Sequence, residues 1–188
     1  MHYLAIAIRC LIGVVFLLSF VGKVGGRGKF TAFTASIRDL RFLPAVRTPA
    51  VARLVVVAEG SVPVLLAVPS PIAVAAGHVL ALALLLAFAA VIVFTVRRGL
   101  RVTCRCFGAS PIPLGAEHVA RNVVLAVLAA AGAVAAGVLP AGEAAHPAGA
   151  LIAAVGGLTL GALVAVLDEI LGLFRPMSRV GPSGSRLR

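Results

Sequence analysis

The chain has 188 residues, of which 61% are hydrophobic and 12% charged, with a formal net charge of +11 and a mean hydropathy of +1.13. Soluble domains are closer to half apolar and a quarter charged, and a core of this size cannot hide so much apolar surface. The bilayer is therefore the solvent, and a nucleic-acid-binding role is excluded because the basic residues fall in short clusters between apolar runs.

The first apolar run spans residues 4–22 and is interrupted by Arg9. Its twelve Leu, Ile, Val and Phe residues favour insertion by about 0.3–0.6 kcal/mol each, against a cost of about 2.5–3.5 kcal/mol for one arginine. Arg9, Phe16 and Lys23 recur every seventh residue and so share one helix face. Glycines at 22, 25, 26 and 28 then break the helix. Phe30, Phe33, Ile37 and Leu40 return at helical spacing opposite Lys29, Arg38 and Arg41, which predicts an amphipathic interfacial helix over 29–43.

A second span is expected over 50–69, with Arg53 near its start, Glu59 near its middle and a kink at Pro63. Pro69, Ser70 and Pro71 turn the chain into a third span, 72–96, which carries His78 as a packing histidine. Spans over 119–139 and 148–170 complete the set, and Gly157 and Gly161 form a small-xxx-small face on the last. The fold class is thus all-α: a polytopic bundle of five transmembrane helices plus one interfacial helix. A single domain is expected over 1–175, with a disordered polar tail over 176–188.

Orientation follows from the basic residues flanking the spans. Six lie between the first and second spans and four in the tail, while the turns after the second and fourth spans have none. The expected arrangement has the N-terminus outside and the C-terminus in the cytoplasm.

The connection 97–118 holds Cys104 and Cys106, two of the three cysteines, with Arg97, Arg98, Arg101 and Arg105 around them. Neighbouring arginines raise the thiolate fraction, which is the attacking species in disulfide exchange. A disulfide between cysteines one residue apart closes a strained ring, and strained exposed disulfides are the labile ones. Three readings stay open on spacing alone: redox exchange, a structural pair, or half a metal site. His118 could be a third zinc ligand, but no fourth is evident in this connection. His118 is alternatively a proton carrier for thiol exchange. Glu117 with Arg121, and His118 with Asn122, are four apart and form a polar rim beside the cysteines. Cys10 reads as core.

Charges inside spans are functional candidates with a partner to be named. Arg9 and Glu59 fall at depths about 5 Å apart at 1.5 Å per residue, so they can pair. Lys23, reaching from the inner surface, is the competing partner.

These residues resemble a family. Arg9, Phe16, Lys23, the aromatic stretch ending in Leu43 and Pro44, and Glu59 form one set; Phe94, Arg98, Gly99, Cys104, Cys106, Phe107, Gly108, Arg121 and Asn122 form the other. In order and spacing the chain is similar to the MauE family of methylamine utilisation proteins, related to DoxX-like membrane proteins. The resemblance implies a helical membrane protein working with a thioredoxin-like partner, with Cys104 and Cys106 as the exchanging pair. The family commonly has a small residue between its cysteines, where this chain has Arg105. A quinone near Arg9 and Glu59 is the candidate cofactor, and membrane lipid the surrounding partner. Two readings of other classes stand beside the redox one: a scaffold or chaperone with permanently reduced cysteines, and a small-molecule carrier using Arg9, Lys23 and Glu59. The charge count puts the cysteines inside, whereas disulfide donation to an exported protein needs them outside.

Overall fold

The computed structural model describes residues 1–40, 44, 46–98, 116–138 and 146–174. These form six helices: α1 His2–Val24, α2 Lys29–Asp39, α3 Thr48–Ala67, α4 Pro71–Arg97, α5 Ala116–Val138 and α6 Pro147–Phe174. All but α2 are long and apolar enough to cross a membrane. The chain is a multi-pass membrane protein of all-α architecture.

Local chemistry sets the helix ends. Gly25 accepts the end of α1, its N–H donating to Val21 O at 2.7 Å. Gly28 precedes α2 at φ +85°, a left-handed conformation that costs other L-residues strain and glycine little. Pro71 starts α4 at a position whose N–H has no helical acceptor. Pro63 lies inside α3 and has no N–H for the Glu59 carbonyl one turn earlier.

Helix α1 is the hub, touching each of the other five. The α4–α5 and α1–α6 pairs make the most extensive seams, and α3 bridges α1 and α4. The core is an apolar cluster from four helices: Ile12, Val15 and Phe16 of α1, Val62 and Leu66 of α3, Ala81 and Leu85 of α4, and Leu125 and Ala129 of α5. Small residues set the approach distances. A Cβ at Gly157 would overlap the Ala7 carbonyl, and one at Gly161 would overlap Val14 and Leu11. The small-xxx-small face therefore seats α6 against α1, which is its sole neighbouring helix among the described residues.

The interfacial helix is shorter than expected, ending at Asp39 with Leu40 as its cap; residues 41–43 lie outside the described residues. Its apolar face is Phe33, flanked by Phe30 and Ile37, packed on Ala52 and Val56 of α3. α2 packs on α1 and α3 alone among the described residues; the chain direction puts the ends of α1, α4 and α6 and the starts of α3 and α5 on the same side of the bundle as α2, and this is the basic end. The expected tail, 176–188, lies outside the described residues.

Candidate functional site

Burying a charge in a bilayer requires a partner, and among the described residues the basic end holds such a pair. Lys23 and Glu59 are 3% and 0% exposed. Lys23 Nζ donates to Glu59 Oε1 at 2.9 Å and lies 2.8 Å from Oε2. Ser19, one turn before Lys23, completes the group: its Oγ accepts from Lys23 Nζ at 2.7 Å and donates to Glu59 Oε1 at 3.3 Å. The Phe33 ring of α2 closes the site, 5.1 Å from Lys23 Nζ, within the range of a cation–π contact. The group ties α1, α2 and α3 together.

Arg9 stands elsewhere. Its Nε donates to Leu66 O and its Nη2 to Val68 O at 3.1 Å. Those carbonyls close α3, where Pro69 and Pro71 supply no donors and the Ser70 N–H goes to Val68 O. The Arg9–Glu59 pair that depth allows is not formed. Lys23 takes Glu59 from the basic end, and Arg9 satisfies helix-end carbonyls at the opposite end.

On α5, His118 and Asn122 both turn inward, 8% and 1% exposed. The expected polar rim is therefore only partly a rim: Glu117 is exposed and Arg121 half-buried, while His118 and Asn122 continue the buried stripe of Leu125, Ala126 and Ala129. Neither polar side-chain atom of Asn122 has a hydrogen-bond partner among the described residues. One turn before the end of α4, Phe94 lies under the Arg98 guanidinium, 4.0 Å from ring centre to Cζ.

His78 is a packing residue by geometry. Nδ1 is 2.8 Å from Val74 O, and the ring lies where a Cβ at Gly132 would sit. Cys10 is half-buried rather than part of the core.

Cys104, Arg105, Cys106, Phe107 and Gly108 lie outside the described residues. The helices they connect do not: α4 stops at Arg97 and α5 starts at Ala116, both at the basic end, where Lys23, Glu59, His118 and Asn122 are buried.

The match to known families decides the identity. A family model described as methylamine utilisation protein MauE matches residues 1–135. The chain belongs to the MauE family. The matched region takes in α1 through most of α5, and so includes both the Lys23–Glu59 group and the cysteine pair of this MauE chain. Comparisons with curated proteins and with solved structures return no match.

Sequence reasoning missed two features of this MauE site. Ser19 was legible as the residue one turn from Lys23. Phe33 over Lys23 was not, because nothing in the spacing says how α2 folds back onto α1.

Proposed function

We propose that this MauE-family protein is a membrane thiol–disulfide redox protein that supports disulfide formation or maturation of a partner protein, together with a thioredoxin-like protein. The observation that carries the reading is the Cys104-Arg105-Cys106-Phe107-Gly108 segment within the MauE match. In one direction of exchange, a thiolate of the pair attacks a partner disulfide and forms a mixed disulfide. The second cysteine then attacks its neighbour's sulfur, closing the Cys104–Cys106 bond and releasing the partner as a dithiol. Two electrons pass to the partner with two protons; the reverse direction oxidises the partner. Arg98 and the other arginines near the pair favour the thiolate. His118 and the Asn122 amide are the supporting groups at the same end. By the charge count this end faces the cytoplasm, with the N-terminus outside.

Lys23 and Glu59 neutralise one another and brace α1, α2 and α3 in this reading. A quinone, if one serves as oxidant, does not find Arg9 and Glu59 side by side, because Glu59 is held by Lys23.

Cys104→Ser and Cys106→Ser should each abolish maturation of the partner while leaving the level of membrane-inserted protein unchanged. One of the two single variants should also accumulate a mixed disulfide with the thioredoxin-like protein, visible on non-reducing gels and lost on reduction. Full maturation by both serine variants would discard the redox reading in favour of a scaffold.

A further inference from the structure

The basic end carries more positive charge than the protein itself neutralises. Residues 29–53 contain five cations, Lys29, Arg38, Arg41, Arg47 and Arg53, and one acid, Asp39. Glu59, the nearest buried carboxylate in sequence, is committed to Lys23. Arg38, Arg47 and Arg53 are exposed. Arg53 is the unusual one, since it lies inside a span, about 7–8 Å along α3 from Thr48 at 1.5 Å per residue.

Beside these arginines is a crevice. Thr31, Thr34, Ala35 and Arg38 follow one another at helical spacing along α2 and face Thr48 and Pro49 of α3, enclosing about 140 Å³. The crevice is less polar than its residue names suggest. Thr34 Oγ donates to Phe30 O at 2.9 Å and Thr48 Oγ to Pro44 O at 3.3 Å, so two hydroxyls are turned to their own backbone and offer methyl groups instead. Arg53 is one turn from Pro49 on the same face of α3, and helical side chains lean toward the N-terminus. Arg53 does not itself line the crevice, but its exposed side chain is long enough to extend toward Pro49, which does.

We propose that this crevice is a binding site for one anionic phospholipid. The phosphate sits between Arg38 and Arg53, and the upper part of an acyl chain lies against Ala35 and Pro49. The lining decides in favour of lipid over a soluble anion: the cationic Arg38 stands beside an apolar surface made by Ala35, Pro49 and the threonine methyl groups. The charge excess supplies the attraction, and arginine matches phosphate oxygens in bidentate geometry. The proposal makes no use of the cysteine pair and is independent of the redox reading.

The test uses the full chain purified in phosphatidylcholine–detergent micelles and titrated with phosphatidylglycerol. Thermal unfolding and native mass spectrometry are read in parallel. Phosphatidylglycerol should raise the unfolding temperature by several degrees and saturate near one bound lipid, while added phosphatidylcholine or glycerol phosphate should not. Arg38→Gln with Arg53→Gln should weaken that binding at least tenfold. Ala35→Leu, which fills the crevice and keeps every charge, should weaken it as well; Lys29→Gln, outside the crevice, should leave it within about twofold. Equal stabilisation by phosphatidylcholine would overturn the proposal, as would stabilisation by glycerol phosphate alone. So would equal losses from Lys29→Gln and Arg38→Gln, which would mean a diffuse basic surface.

Discussion

At the scale of single residues, the buried Lys23–Glu59 pair dominates. A charge left alone in an apolar interior is far more costly than a neutral pair, and removing one partner of a buried ion pair costs about 3–5 kcal/mol. Lys23→Met and Glu59→Gln should each destabilise by that order, and the double variant should recover most of the loss. Unfolding in mild detergent measures it; strictly additive losses would mean the two groups do not interact. Asn122 predicts the opposite sign. Both polar atoms of its buried amide are without partners among the described residues, so an apolar residue of similar size removes a desolvation penalty of about 1–3 kcal/mol. Asn122→Leu should raise stability by about 1 kcal/mol or more and lower partner maturation if the amide serves an incoming group. A variant of unchanged activity would reduce Asn122 to a packing residue.

At the scale of helices, association rests on close fit, because lipid is as apolar as the helix surfaces. α6 touches α1 alone among the described residues, so its attachment depends on Gly157 and Gly161. Gly157→Val should loosen α6 and cost about 1–3 kcal/mol through overpacking. Gly156→Val is the control, since nothing lies within 4 Å of a Cβ there. Crosslinking cysteines placed on α1 and α6 would read the seam directly, and equal yields in the two variants would refute it. Gly132 makes the same point for α4 and α5. Gly132→Ala should displace the His78 ring, and combining it with His78→Ala should relieve much of the cost, an effect a double-mutant cycle measures.

At the scale of the whole molecule, one end gathers Lys23, Lys29, Arg38, Arg47, Arg53, Arg97 and Arg98, the interfacial helix and the helix ends that flank the cysteine pair in sequence. The orientation this implies is open to a direct measurement. In a background with Cys10, Cys104 and Cys106 replaced by alanine, a cysteine at Ser70 should react with an impermeant maleimide in intact cells. A cysteine at Thr31 should react only after the membrane is opened. The reverse labelling would invert the protein and put the native cysteine pair on the face where disulfides persist.

Much of the architecture was determined along the chain. The five spans follow from apolar length that outweighs the few charges within it, since each must satisfy its own backbone inside the bilayer. Glycines between 22 and 28 and prolines between 69 and 71 mark the breaks, and Gly157 with Gly161 marks a close contact. The candidate charges were equally legible, because an ionisable residue in a span stands out against its surroundings. Their partners were not. Depth along two helices allows Arg9 or Lys23 to reach Glu59, and only the packing of α3 against α1 selects Lys23. The exposed carbonyls at the end of α3 draw Arg9 away. Rotation of α5 likewise decided that His118 and Asn122 face inward while Glu117 does not. Periodicity along one helix reports which residues share a face; which neighbour that face meets is set by the side chains of the other helices, and so belongs to the tertiary structure alone.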